Sequence, residues 1–340
     1  MRSLVLGGSV FVGKHLVDAL VERGDHVAVL NRGQTAVALP PGVEHLRADR
    51  TDPAQMRSVL GDRDWDAVYD VSGFVMAAGG GDIDALIALL DGRVGAYVFV
   101  SSIMAYDQSL AGRFPWTEDM PTNPDGPTSY GGFKALSETA MLARHASTGF
   151  PASIARPAAI YGPDNNIYDM ETPMFLRLLR NLPVLVPHGG LVVGSYGHVD
   201  DLCAALIRMA EREEASGEVF NVSGESIDVL RYIDILASIV GESADIVDVP
   251  DELLSELDGA APVFGHLFKK RHHAMITSDK ARRLLEWTPQ YDVVTGHAQT
   301  YRWFREQGWA DLRDPLGDPV WKSSWDFDAE AAVVERIRRG

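Results

Sequence analysis

The 340-residue chain holds a single cysteine, Cys203. One thiol builds neither an internal disulfide nor a cysteine metal cage, and it suits a reducing cytosol. Basic residues are few: 31 Lys and Arg stand against 48 Asp and Glu, a net charge of −17. Nucleic acid is a polyanion whose binding draws on a basic face, so the overall field argues against it as a partner. A local basic patch still suffices for a small phosphate ligand. No run of about 18 apolar residues occurs, so no membrane span is expected. The opening stretch, residues 1–13, lacks a signal cleavage site and is broken by glycines, which makes the expected location cytoplasmic. Internal repeats and low-complexity tracts are missing. What is present is ordinary globular composition, with 46% hydrophobic and 23% charged residues. The length allows about two domains and a core that needs no staple.

Short apolar runs alternate with helical patterns. The runs are 3–7, 26–31, 43–48, 67–71 and 96–100. Between them lie a helix over 11–23 closed by Gly24, a Pro53-started helix and a helix over 82–90. Helix 129–148 and strand 150–155 continue the series. Nearly unbroken apolar strands separated by helices mean βαβ units and a parallel sheet buried on both faces. Beyond Pro163 the regularity fades. A helix over 200–212 and a strand over 219–222 are placed to rejoin the first sheet. The expected organisation is a nucleotide-binding domain over 1–165, rejoined by 195–225, and a smaller mixed lobe from 166–194 and 226–340. Five of the seven Trp fall in the last sixty residues (Trp287, Trp303, Trp309, Trp321, Trp325) and are expected to pack that lobe.

Gly7, Gly8, Ser9, Phe11, Val12 and Gly13 sit at a strand-to-helix junction. Glycine there permits a tight turn and close approach to a pyrophosphate, and the helix start offers free N–H groups and a positive dipole end. Val10 stands where a glycine is usual, and a β-branched side chain would crowd phosphates unless Gly8 provides the approach. At the end of the second strand, where an acid would grip the adenosine ribose, the residue is Asn31, followed by Arg32. A neutral residue and a guanidinium suit a 2′-phosphate, which leans the cofactor toward NADP within NAD(P). The competing view of Arg32 is a solvated loop charge. Asp49 is a candidate acceptor for the adenine amino group, and Ser72 is a further cofactor-facing candidate.

Tyr130 and Lys134 are spaced i, i+4, one turn apart on a helix. A free Tyr has a pKa near ~10 and is a poor base at neutral pH. A nearby ammonium and an oxidised nicotinamide both favour the phenolate. Upstream, the fifth run ends in Ser101 and Ser102. A hydroxyl at the carboxyl end of a strand lies where ligands bind in open α/β sheets. Ser102 is placed to hydrogen-bond a substrate oxygen while Tyr130 moves its proton.

With these segments, together with 156–163, 198–201 and 278–287, the chain resembles the extended short-chain dehydrogenase/reductase family, of the NAD(P)-dependent epimerase/dehydratase type. The loop Gly7–Gly13 followed by Leu30-Asn31-Arg32-Gly33 resembles a divergent branch, similar to the chloroplast stem-loop-binding epimerase-like proteins. The resemblance implies a Rossmann-type doubly wound parallel sheet with a smaller C-terminal substrate lobe. It implies hydride transfer with Ser102, Tyr130 and Lys134 as the catalytic set, Lys134 also holding the nicotinamide ribose, and a homodimer. Sugar 4,6-dehydratases of the family carry an Asp-Glu pair after the strand-end hydroxyl. Ile103 and Met104 stand there instead, and neither moves a proton, so dehydration is not expected; both are candidate substrate contacts. Gly194 falls near the place of a diphosphate-binding Arg. The run 269–273, with Lys270 and Arg271, is the densest basic stretch and the candidate replacement. Asn165 and Asn166 lie on the expected substrate side. Arg156 reads as a loop anchor, Asp200 and Asp201 as a helix N-cap, Cys203 as a packing residue, and no metal site is expected.

Three functions follow. The first is an NAD(P)-dependent epimerase of a nucleotide sugar or related polyol. The second is an NADPH-dependent reductase or dehydrogenase of a small carbonyl compound, which the apolar Ile103 and Met104 suit. The third is a non-catalytic binding protein of the same fold.

Overall fold

The structure is a computed structural model, and it describes residues 1–34, 38–72, 81–110, 112–167, 170–257, 272–313, 316 and 326–339. In chain order the strands and α-helices begin with β1 (Arg2–Leu6), α1 (Phe11–Glu22), β2 (His26–Asn31), β3 (Glu44–Arg47), α2 (Pro53–Leu60) and β4 (Trp65–Asp70). Next come α3 (Gly81–Leu90), β5 (Val94–Val100), α4 (Tyr130–Thr148), β6 (Ala152–Pro157), β7 (Ala159–Tyr161), α5 (Glu171–Leu179), β8 (Val184–Pro187) and β9 (Val193–His198). The chain continues with α6 (Val199–Glu211), β10 (Val219–Val222), β11 (Ser226–Asp228), α7 (Val229–Val240), β12 (Ile246–Val249), α8 (Asp251–Leu257), α9 (Asp279–Leu284), α10 (Val293–Glu306) and α11 (Phe327–Arg339).

The chain forms two compact units. The first comprises Met1–Ile160, Val199–Ser223 and Ile276–Gln290. Its seven strands form one sheet in the order β10-β6-β5-β4-β1-β2-β3, every pair parallel. Side chains alternate across the sheet. Val5 points into a core shared with Leu16 and Leu20 of α1, Leu202 and Leu206 of α6, and Leu285 and Trp287 around α9. Leu4 and Leu6 point the other way, into a core with Leu60, Leu86 and Met141 from α2, α3 and α4. The strand order reverses between β1 and β4, so the loops after those strands face one crevice at the carboxyl end of the sheet.

The second unit comprises Tyr161–His198, Gly224–Met275 and Tyr291–Gly340. Here β8 pairs with β12 in parallel, and β9 with β11 antiparallel. An aromatic cluster fills it: Tyr161 stacks on His297 at 3.8 Å, and His198 on Tyr291 at 3.8 Å. Two boundaries differ from the sequence reading. Strand β9 belongs to the second unit. Segment Ile276–Gln290, expected in the lobe, belongs to the first, because Ala281, Leu285 and Trp287 are buried in the α1/α6 core. The Trp287 indole N–H also donates to the Asp201 carbonyl at 3.0 Å. Among the described residues no helix is long and apolar enough to cross a membrane.

Candidate active site

The loop after β1 turns on Gly7, whose φ of +117° favours glycine. A methyl group on Gly7 would lie 3.0 Å from the Ser72 Cβ, so this turn sits directly against the loop after β4. Gly8 and Gly13 serve packing. A methyl group on Gly8 would meet Val29 at 2.8 Å and Val17 at 2.9 Å, and one on Gly13 would meet the Gly8 Cα at 2.9 Å. Gly8 therefore lets α1 close on β2, and its methyl position faces the core, not the phosphate side. Val10 is the extended N-cap of α1, has no side-chain cap bond, and is 40% exposed. The side chain stands outward, and the first N–H groups of an α-helix lack partners within it. That uncapped helix start above a glycine turn fits a pyrophosphate.

The Asn31 amide donates to Ser9 Oγ at 2.6 Å and its carbonyl accepts from the Gly33 N–H at 2.7 Å. His45 Nε2 lies 2.9 Å from the same oxygen. Asn31 thus holds the loop edge, while Arg32 and Arg47 remain exposed beside it. The Asp49 carboxylate accepts from the Thr51 N–H and hydroxyl at 2.9 and 2.7 Å, and these bonds hold it below the usual carboxylate range.

Ser102 follows β5, extended, and caps a short 3-10 turn, Ile103–Ala105, by accepting from the Met104 N–H at 3.1 Å. Tyr130 opens α4, whose N-cap is Ser129. Gly131 explains how these two elements meet, and Gly132 how α4 meets the segment before it. A methyl group on Gly131 would lie 2.1 Å from the Met104 carbonyl oxygen, and one on Gly132 would lie 2.2 Å from that of Gly126. Only glycine lets the first turn of α4 dock on the Ser102 loop. Gly131→Ala is therefore expected to push the two elements apart and lower turnover about 10²-fold. Steady-state kinetics checks this, and unchanged kinetics in a folded variant would sink it.

The Tyr130 phenol is half-buried and held well up by loss of solvation, with a hydrogen bond to Ser102 working the other way. Lys134 is 2% exposed. Its ammonium donates to the Val100 carbonyl at 2.6 Å and lies 4.7 Å over the Phe99 ring and 5.6 Å over that of Tyr130. Burial brings it down to about 7. The unfolded chain keeps this proton up to the ordinary lysine value of 10.5, while the native chain loses it near 7, so stability rises with pH across that window. Below the window both states carry the proton and the cost is constant. Lys134→Met should flatten the rise. Denaturant titrations at about pH 6 and about pH 9 check this, since a methionine has no proton to lose between them. An undiminished difference between the two would count against it.

Three buried groups around this site carry no motif and went unread in the sequence. Arg50 pairs with Asp70 through both carboxylate oxygens at 2.8 and 2.9 Å, and its Nη1 also donates to Ser72 Oγ at 2.7 Å. Glu138, one turn beyond Lys134 on α4, binds Arg156 at 2.6 Å and accepts from the Ser101 hydroxyl. The only available signal was charge within an apolar strand or on a buried helix face.

The glycine loop, Asn31, Arg32, Asp49, Ser72, Ser102, Tyr130 and Lys134 all belong to the first unit, at the carboxyl ends of its strands. Ile103 is 8% exposed and packs inward, while Met104 is 41% exposed. Asn165 and Asn166 belong to the second unit. Asn165 is buried and its amide is spent on the Ile167 N–H at 2.9 Å and on Glu171 at 3.0 Å. Lys270 and Arg271 lie outside the described residues. Asp200 and Asp201 fall inside the first turn of α6, not at its cap. Asp200 lies 2.6 Å from His15 Nδ1, and Asp201 accepts from the Gln290 N–H at 2.7 Å. Cys203 is buried in the core, as expected.

Comparison with known proteins bears on the family and the fold. The chain is 28% identical over 321 residues to the chloroplast stem-loop binding protein of 41 kDa b from Arabidopsis thaliana, covering 88% of this chain and 78% of that one. It is 27% identical to the dTDP-glucose 4,6-dehydratase of Streptomyces antibioticus, covering 94% and 98%. A solved structure of UDP-glucose 4-epimerase from Thermotoga maritima with UDP-glucose matches in fold, with a TM-score of 0.74, 22% identity and coverage of 90% and 99%. The family model for the NAD dependent epimerase/dehydratase family matches residues 3–223, and the chain belongs to that family.

Proposed function

We propose that the protein is an NAD(P)-dependent epimerase of a nucleotide sugar or related polyol, acting by transient hydride transfer with Tyr130 as the base. The observation that carries this reading is the placement of Tyr130, Ser102 and Lys134 on one edge of the first unit, at the same sheet end as the loop after β1. When bound, NAD(P) supplies a reversible hydride acceptor. The uncapped start of α1 would hold its pyrophosphate, Asp49 its adenine and Lys134 its nicotinamide ribose.

Ser102 hydrogen-bonds the reacting substrate hydroxyl and fixes it against Tyr130. The Tyr130 phenolate takes the hydroxyl proton. Burial alone holds the phenol protonated, so the base form needs positive charge nearby, which Lys134 provides in its ammonium form. In an epimerase the substrate regains its hydride on the opposite face. In a dehydrogenase it leaves oxidised. An exposed methionine at position 104, where proton-moving groups would serve dehydration, favours chemistry that stops at the carbonyl. The reductase reading shares every residue and differs in net cofactor turnover.

Nucleotide released on denaturation, identified by mass, separates them. Retained NAD(H) supports the epimerase, weak exchangeable NADPH supports the reductase, and no binding of either overturns both. For the cofactor itself, Arg32 and Arg47 beside the neutral Asn31 favour a 2′-phosphate. Arg32→Ala is expected to weaken NADP(H) binding about tenfold and leave NAD(H) unchanged, since a charge-assisted bond contributes about 1.5–3 kcal/mol. Calorimetric titration with both nucleotides checks it. Equal loss for the two would refute the phosphate contact.

A further inference from the structure

We propose that the buried Arg50–Asp70 pair positions the Lys134 ammonium and sets its charge, so that Asp70 and Arg50 are positioning residues of the site. This rests on the reading of Lys134 as part of the hydride-transfer set.

Asp70 ends β4 with no exposed surface. Its carboxylate is fully engaged. Arg50 binds both oxygens, the Tyr97 hydroxyl donates to Oδ2 at 2.8 Å, and the Ser72 hydroxyl and N–H donate to Oδ1 at 3.2 and 3.3 Å. Such a group keeps its negative charge although it is buried. Its location matters more than its partners. Asp70 is the register neighbour of Phe99. The Phe99 ring lies under the Lys134 ammonium, and the carbonyl of the next residue, Val100, holds that ammonium.

The charged groups facing Lys134 come from three directions: Asp70 on β4, Arg50 following β3, and Glu138 on α4, with the Tyr130 ring alongside. Asp70 attracts the ammonium most strongly, Arg50 opposes, and Glu138 attracts less. Glu138 is also bound to Arg156 on β6 and to the Ser101 hydroxyl just after β5. Asp70 and Arg50 therefore act on Lys134 with opposite sign. Arg50 also grips Ser72 Oγ, so the same pair fixes the loop that packs on Gly7.

That opposition gives the test. The full-length, cofactor-free protein is labelled with lysine carrying ¹³C at Cε and titrated by NMR. The chain has six lysines, and Lys134→Met assigns the signal. Asp70→Asn is expected to lower the Lys134 midpoint by about one pH unit or more, and Arg50→Met to raise it. The alkaline limb of kcat against pH should follow in the same directions. Should Asp70→Asn fail to fold, the double variant Asp70→Asn/Arg50→Met leaves no unpaired buried charge, and its midpoint should fall below wild type because the larger attraction is gone. Midpoints unchanged in the folded variants would show a merely structural pair and overturn the proposal. That result leaves the hydride-transfer reading standing. An active Tyr130→Phe would instead refute the reading without touching the Lys134 titration.

Discussion

Tyr130→Phe is expected to lower kcat about 10²- to 10⁴-fold while KM and thermal stability stay close to wild type. The loss is confined to one oxygen. Ser129 still caps α4 through the Gly132 N–H at 3.0 Å, Gly131 still docks on the turn after Ser102, and Gly132 on Gly126. Lys134 keeps the Val100 carbonyl. What disappears is the group that exchanges a proton with the substrate hydroxyl. Substrate binding draws on many contacts, so an effect on kcat with little on KM is the signature of a group acting in the chemical step. Single-turnover kinetics with saturating cofactor measures it. A fall of less than about tenfold would remove Tyr130 as the base.

The largest expected loss of stability comes from Arg156→Met. Arg156 and Glu138 are 3% and 2% exposed, and they meet through Nη2 at 2.6 Å and through Nε at 3.0 and 3.2 Å. The guanidinium also lies 4.4 Å over the Tyr106 ring and donates to the Glu118 carbonyl at 3.3 Å. Removing it strands a buried carboxylate, a change that costs about 3–5 kcal/mol. At about 2–4 °C per kcal/mol the expected fall in Tm is on the order of 10 °C. Calorimetry of the single variant and of Arg156→Met/Glu138→Gln tests the cause. The double variant should recover part of the loss, because the stranded charge is gone. A single variant within about 2 °C of wild type would show that the pair contributes little.

The strands of the first unit were legible because parallel strands buried on both faces read as apolar runs. The glycine loop and the Tyr130–Lys134 spacing were legible because short motifs keep their geometry within one turn. At Gly8 the sequence suggests only a phosphate approach, while the need for hydrogen at Cα comes from Val29 and Val17, which pack across from other elements. Arg50, Asp70 and Glu138 were missed for the same reason. A charge in a strand or helix reads as solvated until its partner, about twenty residues away in each case, is placed beside it. Asn165 reads as a ligand contact by position, yet a buried Asx turn consumes it. Segment 276–290 carries no periodic signal strong enough to announce which core it fills.

The strand at one edge of the sheet, β10, and the segment Ile276–Gln290 reach the first unit only after the chain has passed through the second. On the ribosome, β6 therefore emerges with its outer edge bare and waits for residues 219–222 to be made. The α1/α6 core waits longer still, until Leu285 and Trp287 arrive to cover it. A chain cut at residue 223, where the family match ends, would carry the whole sheet and lack that cover. The family match and the first compact unit thus end at different places.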